Sequence, residues 1–182
     1  MTHPLSFIPG KIRKPLFFSL LAWTLLLFAI FQVLNRPLTT SAAPAGIVSH
    51  QLAWTPQKAR SILASWDARA GLFAAFSLGL DYLFMPSYAL TLALGSLLAA
   101  GRHKGWFARL GTWAAYGVLI AMLFDALENL GQTRQVLDGI ITTPLTQFVG
   151  VCAILKFTLL LAGILYALVG WLLPKQKAVS PA

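Results

Sequence analysis

Four apolar runs, each long enough to cross a bilayer, leave this chain little choice but to fold as helices in a membrane. The first, PLFFSLLAWTLLLFAIFQVL over 15–34, carries no charge. At 1.5 Å per residue it matches a hydrocarbon core of about 30 Å. The others fall within 70–100, 106–130 and 144–173, each bounded by Gly, Pro or charged residues. Lipid offers the backbone no hydrogen-bond partner, so each run must satisfy its own amides as a helix. The expected architecture is all-α, an integral membrane four-helix bundle forming one domain over 1–182. A cleaved leader is the alternative for the first run, because KIRK precedes it and the small residues of TTSAAPAG follow it. Its length, beyond the roughly 7–15 residues of a leader core, favours a retained span.

Charge supports that placement. Hydrophobic residues make up 58% of the chain and charged ones 10%, with 14 Lys and Arg against 5 Asp and Glu. In a soluble domain such a balance would suggest nucleic acid; here the cations sit in short segments between apolar runs, the pattern that favours anionic lipid headgroups and a fixed orientation. Nucleic acid is therefore not an expected partner, and the lipid bilayer is. With the N-terminus inside, the inner segments hold Lys11, Arg13, Lys14, Arg102, Lys104, Arg109, Lys175 and Lys177, against Arg36, Lys58, Arg60, Arg69 and Arg134 outside. This predicts N-in, C-in, with Trp106 and Trp171 at the inner interface. The lone Cys152 excludes an internal disulfide framework and a CxxC redox pair.

The outer loop, 35–69, is predicted to hold one short amphipathic helix in TPQKARSILASWD. Thr55 suits an N-cap and Pro56 the first helical position. Ala59, Ile62, Leu63 and Trp66 recur at helical spacing on one face, with Lys58 and Arg60 on the other. Such a stripe is expected to pack over the helix ends or lie on the membrane surface; the alternative is a lid over a site.

Chemistry, if there is any, should lie with the charges inside the spans. An ionised side chain at the centre of a span costs about 2.5–3.5 kcal/mol on insertion scales, so it needs a partner, a cavity or a task. Asp81 in the second run, Asp125 and Glu128 in the third and Lys156 in the fourth can share one layer in the outer half of the membrane. Asp125 and Glu128 are neighbours at i, i+3, and two carboxylates that close resist ionising together without a cation. Lys156 is the one cation placed at membrane depth, since Arg109 sits at the inner end of its run. Asp81 shares a face with Ser77 and Tyr88, at i−4 and i+7, which predicts an inward polar stripe. Pro86, five residues on, removes the amide that would bond to the carbonyl of Tyr82.

These residues, Ser77, Asp81, Tyr88, Asp125, Glu128 and Lys156, form the candidate substrate-binding set. The alternative for the same charges is an internal salt bridge fixing helix register: Lys156 with Asp81 or Asp125, and Glu128 with Arg134 or headgroup water. Glu128, close to the end of its apolar run, is expected at the interface. His3, His50 and His103 lie outside the runs and far apart, so neither haem nor zinc is expected, and no cofactor is implied. Asn129, Thr146 and Gln147 are expected to cap helices or bond between them, and small residues such as Ala89, Ala93, Gly95, Ala99, Gly150 and Gly163 to allow close helix approach.

The segments GLDYLFMPSY and LFDALENL, preceded by TPQKARSILASW, resemble a group of small bacterial four-helix inner-membrane proteins. The likeness covers roughly 55–130. It implies a bacterial inner-membrane location and carries no activity with it. A looser likeness to the sterol-isomerase and sigma-2-receptor type rests on acids facing a central cavity; the acids here occupy different helices, so no residue role is transferred. Three functions stand open. The bundle binds or moves a small apolar or cationic ligand, or a proton, through Asp81 and Asp125, with Lys156 as counter-ion and Tyr88 as hydrogen-bond partner. Or it is an accessory subunit whose charges are already paired and which meets a membrane protein partner. Or a buried carboxylate serves as a general acid on a lipid-soluble substrate. A cavity reaching Asp81 would favour binding; a closed, packed layer would favour the subunit.

Overall fold

The computed structural model describes residues 2–175, and Lys177, one of the cations assigned to the inner side, lies outside them. The described chain is helical throughout: α1 (Gly10–Asn35), a 3₁₀ turn at Arg36–Leu38, α2 (Ile47–Gln51), α3 (Pro56–Ala64), α4 (Ala68–Ala100), α5 (Gly105–Val136) and α6 (Thr143–Leu172). α1, α4, α5 and α6 are long and apolar enough to cross a membrane. The 33 residues of α4 make about 50 Å of helix. That leaves more than a turn beyond a ~30 Å core at each end.

Local signals set the boundaries. The side chains of Thr55, Asp67 and Thr142 accept from the amides of Lys58, Ala70 and Leu145, capping α3, α4 and α6. Pro56 and Pro144 sit in the first turns, where an amide would have no partner. Pro37 cannot donate to the carbonyl four residues back, and α1 gives way there to the 3₁₀ turn. Gly46 is needed at φ 59°, where Asn35 packs against it. Asn35 Oδ1 accepts from the Ile47 amide at 2.9 Å, joining the end of α1 to the start of α2.

α4 is the central element and packs against the other three spans, while α5 and α6 form the other large interface. In the most apolar window of α4, 56% of residues are buried, against 6% in α1, so α1 is a peripheral helix with most of its surface facing outward. Close approach relies on small residues. Val118 on α5 sits over Gly163 of α6, Val149 over Gly131, and Ala89, Ala93 and Ala99 on α4 are fully buried. Thr24 and Thr91 join α1 to α4 through their hydroxyls at 2.9 Å. Leu72, Phe76, Leu123, Leu161 and Leu168 point outward, as lipid-facing residues would.

Two expectations are corrected. The loop 35–69 holds two helices and a 3₁₀ turn rather than one helix. The expected helix, α3, packs its apolar face inward: Ala59 and Ile62 are fully buried with Trp66, Leu38, Ala70 and Ala74. The third span also runs six residues past the predicted limit at Leu130, to Val136. Apolar counting stops too early because Gln132 and Gln135 turn inward, where their amides find partners on α2, α5 and α6.

A buried charge cluster and an aromatic cavity

Lys156 lies between the two carboxylates of α5. Its Nζ donates to Asp125 Oδ1 at 2.8 Å and stands 2.6 Å from Glu128 Oε2, an ion pair by distance but off the line of a hydrogen bond. Asp125 and Glu128 meet one ammonium because they sit one turn apart on the same face of α5. The side chains of these two ion pairs are at most 5% exposed. The second oxygen of Asp125 accepts from Tyr88 OH on α4 at 2.7 Å, so both of its oxygens are occupied.

The network continues toward the loop 35–69. Gln132 Nε2 donates to Glu128 Oε1 at 2.7 Å, and Gln132 Oε1 faces His50 Nδ1 at 3.2 Å. An ionised carboxylate only accepts, so its bond fixes the amide orientation of Gln132, and the oxygen left over makes His50 Nδ1 the donor. Asn129 donates to the Leu78 carbonyl at 2.7 Å, tying α5 to α4, and Gln135 donates to Thr146 at 3.2 Å. Asn129 and Thr146 thus bond between helices, as expected. Glu128 does not lie at the interface or pair with Arg134: it is fully buried beside Lys156, whereas Arg134 is exposed. The reason is the added length of α5, which carries Glu128 two turns below the helix end.

Asp81 is not part of this cluster. It pairs with neither Lys156 nor any other cation among the described residues, and makes no hydrogen bond there. It lines a cavity of about 190 Å³. Phe28 and Phe31 of α1, Phe84 of α4 and Phe157 of α6 form aromatic walls, and Val48 and Gln51 of α2 close the end toward the loop 35–69. Ser77 and Tyr88 line the same space, so the stripe anticipated on α4 does face inward. Asp125 and Lys156 reach it as well, and Lys156 Nζ lies 4.8 Å from the Phe157 ring centroid. α1 and α6 flank the cavity with at most slight contact between them, so no helix packing seals that side.

The six predicted residues are thus divided. Asp125, Glu128, Lys156 and Tyr88 are bonded together, while Asp81 and Ser77 face the cavity beside them. Sequence reasoning missed Gln132 and His50. Gln132 had a signal, since Glu128, Gln132 and Gln135 continue one face at i, i+4, i+7; His50, 82 residues away from Gln132, had none.

His50 also makes the fold sensitive to acid. Burial holds its pKa below the ordinary 6.5, so the unfolded chain takes up a proton more readily than the native one. Stability is then fully present above about 6.5 and falls as pH drops below it. His3 acts with the same sign: burial, helped by Arg13, lowers it to about 4. Melting temperature should decline between pH 7 and pH 5, with a shallower slope in His50→Asn and in His3→Asn. Identical slopes in wild type and both variants would show that neither histidine is linked to folding.

Fold and site together define a class: a four-span helical bundle with a paired internal ion cluster beside a cavity lined by one unpaired carboxylate. Comparison with known protein families, with curated proteins and with solved structures finds no match.

Proposed function

We propose that the bundle is a binding protein for a small, largely apolar molecule carrying one cationic centre, an amine above all, with Asp81 as its counter-ion. The observation that carries this reading is the unpaired Asp81 facing an aromatic cavity. A carboxylate without a partner in apolar surroundings is expensive. A cation brought by the ligand completes it, and the phenylalanine rings add cation–π attraction once water is excluded. If all were ionised, three carboxylates would face one ammonium in this layer. The local charge therefore favours a cation or protons over an anion. The paired cluster of Asp125, Glu128, Lys156 and Tyr88 takes the structural role, holding α4, α5 and α6 in register around the cavity. Subunit and binding readings are in this way assigned to different residues. The location proposed with this function is the bacterial inner membrane, with both termini inside and the cavity in the outer half.

The test uses purified protein in one detergent and two probes of equal shape, N,N-dimethyl-3-phenylpropylamine and its carbon isostere (4-methylpentyl)benzene. The amine should raise the melting temperature of wild type well beyond the isostere. Asp81→Asn should weaken the amine by about tenfold or more, equivalent to 1.4 kcal/mol. Equal responses to the two probes, or an Asn variant that binds the amine as well as wild type, would reject the assignment.

A further inference from the structure

The opposite end of the bundle carries a second site, independent of the cavity. α1 starts there, α4 ends there, α5 starts there and α6 ends there, which brings Lys11, Arg13, Lys14, Arg102 and Lys175 around one cleft of about 330 Å³. The five acidic side chains of the chain are Asp67, Asp81, Asp125, Glu128 and Asp138. Every one belongs to the other end or to the buried layer, so no acidic side chain compensates this group. Arg13 is already committed to the carbonyls of Ile8 and Ser6, at 2.8 and 2.9 Å. Arg102 is only partly committed: one terminal nitrogen reaches the Trp171 carbonyl at a long 3.4 Å, and its Nε is buried with no partner.

A groove continues from this cleft along the outward face. It has a volume of about 410 Å³ and runs between Phe17 and Phe18 of α1, Leu92 and Gly95 of α4, and Ile164 and Leu168 of α6. Gly95 lets the Phe17 ring pack closely against α4 there, since a Cβ would come within 3.1 Å of that ring. Trp171 borders both spaces, with the Arg102 guanidinium 5.2 Å above its ring. A charged mouth and an apolar trough sharing one wall match a molecule with an anionic head and a hydrocarbon tail.

We infer that this face binds an anionic phospholipid, its phosphodiester between Arg102 and the lysines Lys11, Lys14 and Lys175, and one acyl chain in the groove below. Guanidinium and ammonium groups supply the donors that phosphate oxygens accept, and Arg102 Nε would gain the partner it lacks. The chain lies against an apolar surface that would otherwise meet bulk lipid, so head and tail together give selectivity that neither provides alone. Basic pockets between span ends are the form such sites take.

Retention of lipid by the purified protein, measured by native mass spectrometry, separates this from general basicity. Dioleoyl phosphatidylglycerol should be retained several-fold over the phosphatidylcholine with the same chains. Arg102→Gln should lower its retention roughly fivefold, with Lys11→Gln/Lys14→Gln as a second variant that leaves the Trp171 contact intact. Arg109→Gln, at the same end but outside the cleft, should change little. Ala167→Trp, which fills the groove, should also reduce retention. Equal retention of the two lipids, or an equal loss with Arg109→Gln, would overturn the proposal in favour of diffuse charge. Glycerol 1-phosphate protecting the protein from heat as well as the lipid does would overturn it in favour of a free phosphate site.

Discussion

Lys156→Met should destabilise the bundle by about 3–5 kcal/mol, the usual consequence of removing one member of a buried, hydrogen-bonded ion cluster. The loss comes less from the missing attraction than from what remains: Asp125 and Glu128, both buried, would face each other with no cation between them. The rescue pattern is more informative than the loss. Adding Asp125→Asn should restore only part of the stability, because Glu128 is still unpaired, and adding Glu128→Gln as well should restore most of it. A protein with the layer neutralised in this way should melt close to wild type, since a buried cluster contributes little beyond a neutral layer of the same shape. Melting curves of the single, double and triple variants in one detergent check this by the non-additivity of their effects. Additive losses would mean that the three side chains do not act as one unit.

The fold was legible because membrane spans announce themselves by length and composition alone. Each of the four runs appears as one helix, and the cap at Thr55 and the inward face of α3 follow from residue types at fixed spacing. Where polar residues extend a helix, this reasoning stops short. α5 continues through Gln132 and Gln135 because each finds a partner on another element, a fact about the tertiary structure. The layer of Asp125, Glu128 and Lys156 was visible as three ionisable residues at similar depth. Which of them pair was not, because helix rotation and the true end of α5 decide whether Glu128 meets Lys156 or Arg134. Asp81 shows the same limit from the other side. Its charge marked it, but only the packing of α1, α2 and α6 around it reveals a cavity instead of a partner. α2 was invisible, since five residues carry too little periodicity to identify.

Trp66→Ala should release the cap formed by the loop 35–69 while leaving the spans assembled. Trp66 is buried among Leu38, Ala59, Ile62 and Ala70, donates its indole N–H to the Leu38 carbonyl at 2.9 Å, and lies 5.7 Å from the His50 ring. Truncating a buried tryptophan costs about 3–5 kcal/mol through lost contacts and the void left behind, and an unpaired Leu38 carbonyl adds to that. The contacts joining α4 to α5 and α5 to α6 do not involve it, so helical content should persist while the segment 35–69 becomes open to protease. The consequence for binding separates the two roles considered for the loop. α3 packs over helix ends, whereas α2 contributes Val48 and Gln51 to the cavity wall and is held in place by His50 and Asn35. If α2 closes the cavity, release of the cap should weaken amine binding in Trp66→Ala together with the gain in cleavage. Unchanged amine affinity in a protein whose loop is readily cut would show that the spans alone form the site, and that the cap serves only to cover their ends.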